Sequence, residues 1–201
     1  MAAEAILPAI LVVLMIAAVV VTLARDFHLW ASGREQLRSA VLFRDAAAVR
    51  KLLDASPHLA DDREALFSAI FQNRDEVLAV LLERGADVRR PLQWGGAALH
   101  IAARYGTAES VQAVLAYGAD IDQDCGGTPL FWAADQGRPD VVELLLQRGA
   151  NAGLVAVEQI GLSAFKPKFT GQEGFEAIRR QVAEAQRRQA EPGAAADGGR
   201  M

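Results

Sequence analysis

Cysteine and histidine are nearly absent from this chain. It has one cysteine, Cys125, and three histidines, His28, His58 and His100, in 201 residues. A lone cysteine closes no internal disulfide, and so few histidines leave little material for a zinc site or a nucleophile–base pair. A basic excess is missing too: 21 Lys and Arg stand against 25 Asp and Glu, so no positive field for nucleic acid is built in. There is no Gly-rich phosphate loop, no nucleophile elbow and no HExxH motif. Apolar residues make up 52 %, which excludes a disordered chain.

Charge is also missing from one long stretch. Ala5 to Ala24 (AILPAILVVLMIAAVVVTLA) holds no charged residue in twenty positions. As a helix it spans about 30 Å, the hydrocarbon thickness of a bilayer. Pro8 falls in its first turn, where proline disturbs a helix least. A buried core helix would show a polar face, and a signal peptide would open on a basic region, where this chain reads Met1-Ala2-Ala3-Glu4. The run is expected to be a retained transmembrane anchor; the alternative is a cleaved signal. No Lys or Arg precedes it, whereas Arg25, Arg34, Arg38, Arg44, Arg50 and Lys51 follow, which sets the body on the cytoplasmic side. Trp30 and Arg25 are the expected membrane-interface residues. Alanine occurs 39 times and Arg outnumbers Lys 18 to 3, a bias expected of a GC-rich bacterial genome. The expected location is therefore a bacterial inner membrane, crossed once.

The remainder repeats itself. Gly126-Gly127-Thr128-Pro129-Leu130-Phe131-Trp132-Ala133-Ala134-Asp135-Gln136-Gly137 is followed by RPDVVELLLQRGAN. An offset of 31 leads back to Gly95-Gly96-Ala97-Ala98-Leu99-His100-Ile101-Ala102-Ala103-Arg104-Tyr105-Gly106 and TAESVQAVLAYGAD. A further 33 leads to Ala65-Leu66-Phe67-Ser68-Ala69-Ile70 and FQNRDEVLAVLLERGAD, where the Thr-Pro pair is lost and Asn73 replaces the central glycine. A fainter copy carries Leu37, Ser39, Ala40 and Val41, then Val49, Leu52 and Leu53, and closes on Ser56-Pro57-His58-Leu59. Self-similarity at this period predicts a solenoid of short helix pairs, none of which buries its own apolar face. Thr128 and Pro129 suit a helix start. Gly85, Gly118 and Gly149 stand where a helix end needs a left-handed residue.

The TPLxxAAxxG…VVxLLLxxGAx pattern of the last copy, and ALHIAARYG…GAD before it, resemble the ankyrin repeat. The resemblance implies an all-α ankyrin-repeat solenoid of about four helix-turn-helix repeats with β-hairpin-like turns, after one N-terminal transmembrane helix. The expected division is an anchor and juxtamembrane segment over 1–32 and repeats over 33–151 (about 34–63, 64–94, 95–125 and 126–151). A degenerate repeat with a C-terminal capping helix follows over 152–190, and a disordered tail over 191–201. Phe175, Ile178 and Val182 form the apolar stripe of the expected cap.

By register, the resemblance places a protein-binding concave face at Phe71, Gln72, Arg104, Tyr105, Asp135 and Gln136 of the first helices. Turn residues Arg89, Arg90, Gln93 and Trp94 join it, with Asp122, Gln123 and Asp124 in the next turn. Trp94, Arg104 and Tyr105 are its expected centre, because Trp, Tyr and Arg dominate binding hot spots. His100 stands at the family's structural histidine, and Trp132 is expected in the core. Asp120–Cys125 fails as a calcium loop, since Cys125 and Phe131 stand where Gly and Glu are needed. No catalytic residue, metal ligand or cofactor is expected. The implied function is a membrane-anchored, non-catalytic interaction module, an adapter, scaffold or inhibitor-type binder. Its partner is a protein, with neither nucleic acid nor a small-molecule substrate. The alternative is an exported periplasmic ankyrin protein that binds or protects an exported enzyme or toxin; a weaker one is an enzyme or metal protein with an unrecognised site.

Overall fold

The computed structural model describes residues 33–92, 95–162 and 171–190, together with Met15 and Val19. Among these residues all regular structure is helical and no strand occurs. The helices are α1 (33–42), α2 (Ala46–Ala55), α3 (Arg63–Phe71), α4 (Asp75–Glu83), α5 (Ala98–Tyr105), α6 (Ala108–Ala116), α7 (Pro129–Asp135), α8 (Pro139–Gln147) and α9 (Gln172–Ala190). Three 3-10 turns, Pro57–Asp61, Ala152–Leu154 and Val157–Gln159, complete the set. No helix among the described residues is long and apolar enough to cross a membrane. The expected anchor, Ala5–Ala24, lies outside the described residues except for Met15 and Val19, which are helical and exposed at 66 % and 51 %. The 191–201 tail lies outside them as well.

Short polar side chains start several of these helices. Asp45 accepts from the Ala48 N–H at 2.8 Å, Asp62 from Glu64 and Ala65 at 3.0 Å each, Thr107 from Ser110 at 2.9 Å and Thr128 from Phe131 at 3.3 Å. Each bond satisfies an N–H that a helix start leaves without an internal partner. Helices α4 and α8 begin instead on Arg74 and Arg138, without a side-chain cap.

The ends of α1, α3, α4, α6 and α8 share one device. The N–H three residues past the helix returns to a carbonyl five residues back, across a residue in the left-handed conformation. Gly85, Gly118 and Gly149 do this after α4, α6 and α8, at φ +90°, +84° and +91°. After α3 the same geometry is taken by Asn73 (φ +55°), and after α1 by Arg44 (φ +60°). The glycine lost from the second repeat is thus replaced in conformation, not in chemistry. Asp87, Asp120 and Asn151 follow these glycines, and each side chain accepts the N–H two residues on, at 2.9–3.0 Å. That is the physical content of the repeated Gly-Ala-Asp/Asn signature. The turns beyond hold a bond from Leu92 N–H to the Gly96 carbonyl at 2.8 Å and one from Cys125 N–H to Gly127 at 3.3 Å.

The helices stack in two rows. First helices α3, α5 and α7 are neighbours in order, as are second helices α2, α4, α6 and α8. One apolar core runs the length of the stack, and alanines at its centre (Ala69, Ala102, Ala103, Ala133 and Ala134) are fully buried. Polar bonds tie consecutive turns: Arg90 to Asp61 at 2.7 Å, Arg89 Nε to the Gly118 carbonyl at 3.0 Å, and the Asn151 N–H to Asp122 at 2.8 Å. Buried Arg138 reaches back to the Ala102 and Ala103 carbonyls at the end of α5, at 3.1 and 3.2 Å. His100, wholly buried, sets Nε2 at 2.9 Å from the Gln123 carbonyl and 3.1 Å from that of Gly127.

At the C-terminal end, α9 packs on α7, α8 and both nearby 3-10 turns, with Phe175, Ile178 and Val182 buried. Its polar side chains bond backbone that a further repeat would otherwise meet. Gln186 donates to the Ala152 and Val155 carbonyls at 2.9 Å each. Gln189 donates to Ala150 and accepts from the Ala152 N–H, also at 2.9 Å, and Arg179 donates to Ile160 at 2.7 Å.

Two stability outcomes follow. Arg44→Gly removes the left-handed penalty of a long side chain but loosens the unfolded chain, so a net gain of about 0.5 kcal/mol is expected. Asn73→Gly should change stability less, because asparagine tolerates this region. Urea midpoints of the two variants test the order. Burial holds the His100 imidazole below its ordinary pKa, against weaker raising effects of the Gln123 and Gly127 carbonyls and of Asp124. The unfolded chain therefore takes the proton first. This contribution to stability is full above about pH 6.5 and is lost as pH falls through the folded value. Between pH 7.5 and 5.5 the urea midpoint should fall more steeply in the wild type than in His100→Gln; equal slopes would remove His100 as the cause.

Candidate protein-interaction face

The first helices carry a row of rings and one guanidinium along one side of the stack. Phe67 and Phe71, one turn apart on α3, are stacked at 5.5 Å between ring centres and 13° between planes. Phe71 meets Tyr105 of α5 edge to face at 5.1 Å. Arg104 lies over two rings at once, 5.2 Å from the centre of Tyr105 and 5.2 Å from that of Trp132 on α7. Trp132 in turn meets the edge of His100 at 5.1 Å. The row crosses three repeats. Phe71 is 43 % exposed, while Phe67, Arg104, Tyr105 and Trp132 are half-buried.

Three of the residues expected at this face, Phe71, Arg104 and Tyr105, are brought together directly. Gln72 lies beside them, half-buried, and accepts from Arg74 at 3.4 Å. Arg90 is exposed but pairs with Asp61 and, at 3.3 Å, with Asp87, so it ties turns together. Gln93 and Trp94, the latter the expected centre, lie outside the described residues, as do Trp30 and Arg25.

Asp135 and Gln136 are a correction. Register placed them on the open face, but they are 6 % and 2 % exposed. The chain beyond the last repeat closes over the end of α7, where α9 packs, and Asp135 accepts the Gly161 N–H at 3.1 Å. A repeat-by-repeat reading misses this, because the end of an array is covered by different structure from its middle.

Trp132 is the opposite correction. It is expected in the core and packs against it, but only half-buried, at the edge of the face. Leu130, Ala133 and Ala134 fill the core at this level. The indole rests over two backbone positions without side chains: a Cβ on Gly96 would lie 3.1 Å from the ring, and one on Gly127 3.3 Å. Trp132 Nε1 also donates to the Gly126 carbonyl at 3.4 Å. The signal was present as paired glycines, Gly95-Gly96 and Gly126-Gly127, ahead of α5 and α7.

No group of three or more His, Cys, Asp or Glu among the described residues is arranged to hold a metal ion. The acidic turn uses its carboxylates on backbone: Asp120 accepts from Asp122, Asp122 from Asn151, and Asp124 from Gly127 at 2.9 Å. The face therefore offers aromatic area, a guanidinium and a few amides, which suit binding.

Comparison with known proteins agrees with this architecture. Residues 89–155 match the family model for ankyrin repeats (3 copies). A palmitoyltransferase, ZDHHC13 of Mus musculus, is 44 % identical over 78 residues, 37 % of this chain and 12 % of that protein. The E3 ubiquitin-protein ligase XBAT33 of Arabidopsis thaliana is 34 % identical over 133 residues, 62 % of this chain and 26 % of the ligase. Protein fem-1 homolog A-like of Mus musculus is 37 % identical over 83 residues, 41 % of this chain and 13 % of its own length. The chain thus spans about a quarter of the length of these relatives or less. With helix pairs in register, the same turn chemistry and the matched segment, the chain is an ankyrin-repeat protein.

Proposed function

We propose that this chain is a membrane-tethered, non-catalytic protein-interaction module that binds its partner on the face formed by α3, α5 and α7. The observation that carries the reading is the unbroken row Phe67–Phe71–Tyr105–Arg104–Trp132 across three repeats. Ankyrin repeats serve as protein-interaction units, and rigid aromatic residues with arginine bury large area at modest entropic cost. The different activities in the names of the relatives fit a shared binding segment joined to unrelated chemistry.

Tethering rests on the sequence. The uncharged run Ala5–Ala24 supplies the span, and the cations that follow it favour a cytoplasmic stack. Arg25 and Trp30 lie where interface residues belong. A bacterial inner membrane suits the composition. Confined to the membrane plane, the module meets membrane proteins at raised effective concentration, as an adapter, scaffold or inhibitor.

Two measurements test this. A photo-cross-linking residue at Phe71 should capture a discrete protein adduct in cells, and one at Tyr117, 47 % exposed on the second-helix row, should not. Tyr105→Ala and Trp132→Ala should each weaken that adduct, in line with a loss of about 1–4 kcal/mol at a hot spot. Equal adducts from Phe71 and Tyr117 would sink the face. Cys125, in the third turn and partly accessible, reports sidedness. An impermeant maleimide should label it only after lysis, and labelling in intact permeabilised-envelope cells would place the stack on the outer side.

A further inference from the structure

The two ends of the stack are finished differently. At the C-terminal end α9 covers α7 and α8. The N-terminal end, formed by the outer faces of α1 and α2, has no such cover among the described residues. Phe43, at the foot of α1, is 80 % exposed, the highest value for a large hydrophobic side chain among the described residues. A shallow groove of about 480 Å³ lies between the two helices, lined by Gln36, Ser39, Ala40, Phe43, Ala48 and Leu52 and flanked by Glu35 and Asp45. In an array this face receives a neighbouring repeat.

We propose that this face receives a second copy of the chain, with α1 of one copy beside α2 of the other, about a two-fold axis running along the helices. Charge and level both fit. The exposed charge on the outer face of α1 is Glu35, since Arg34 and Arg38 turn to Asp62 of the second repeat. The exposed cation on the outer face of α2 is Lys51, since Arg50 turns to Glu83. Glu35 stands two residues from the start of α1 as described, and Lys51 four residues from the end of the antiparallel α2. At 1.5 Å per residue the two sit within about 3 Å of the same level. The pairing therefore sets Glu35 against the partner's Lys51 twice. Phe43, at the other end of α1, falls against the small side chains that open the partner's α2, Ala47 and Ala48. A two-fold axis in this direction sets the start of α1 on the same side in both copies, as two chains anchored in one membrane require; in this respect the inference rests on the proposed anchor.

The test uses the full chain in its native membrane. Two differently tagged copies, both carrying Cys125→Ser, are co-expressed, one with Glu35→Cys and the other with Lys51→Cys. Mild oxidation should give a mixed disulfide bearing both tags. Adding Phe43→Asp should cut its yield about tenfold while leaving the melting temperature unchanged. Absence of the mixed disulfide, a Glu35→Cys homodimer in its place, or a yield indifferent to Phe43→Asp would each overturn the proposal. Alkaline extraction of the same membranes tests the anchor separately. Release of the protein into the soluble fraction would refute tethering, and the mixed disulfide in that fraction would still decide the dimer.

Discussion

Each helix pair in this stack has an apolar face that it cannot bury by itself. The second helices show why. Val141, Val142 and Leu145 of α8 are fully buried, yet α8 is nine residues long and can shield them only by lying between neighbours. Isolated helices of this length are marginal in water, so packing, not propensity, holds them. Close approach is therefore the governing requirement, and the central alanines meet it. Ala102, Ala103, Ala133 and Ala134 are fully buried on neighbouring helices α5 and α7, and their methyl side chains permit a close approach.

Close packing of short helices multiplies helix ends, and every end exposes backbone groups that need partners. Most of the polar chemistry of this chain serves that need. Left-handed residues close the helix ends, Asp and Asn close the turns, and Arg138 closes α5 from a repeat away. Burial lowers the pKa of Arg138, with Asp140 opposing the shift, so the guanidinium is kept by its bonds to the Ala102 and Ala103 carbonyls and by Asp140, 3.6 Å away. Beyond α8, the amides of Gln186 and Gln189 on α9 bond the carbonyls of Ala150, Ala152 and Val155. Several carboxylates, among them Asp45, Asp62, Asp87, Asp120, Asp122 and Asp124, are in this way engaged with the main chain.

Much of this was legible in the sequence, because the repeat encodes local requirements. Thr128 before Pro129 suits a helix start, and Gly149 suits the end of α8 because the backbone there is left-handed. What periodicity does not encode is what lies across a boundary. Asp135 repeats the register of Phe71 and Arg104, yet it is buried, because the chain after it takes 3-10 turns and α9 closes over it. Trp132 occupies an apolar register position, yet it is only half-buried against the core, because glycines on the preceding turns leave the indole a seat on backbone. Both departures come from residues 25 or more positions away or from glycines whose effect lies in the side chain they lack.

The same reasoning explains why the aromatic row is a fixed surface. Trp132 is held by the glycine seat beneath it, by the His100 edge and by its bond to Gly126. His100 is itself held between two carbonyls of the turn that leads into α7. The core therefore orients the ring from below, and Arg104 spans from that ring to Tyr105 above the junction of two repeats. A partner that docks here meets side chains whose rotamers are already restricted, which lowers the ordering cost that association must offset. The buried imidazole is structural in its bonds, and through Trp132 it reaches the face proposed for binding.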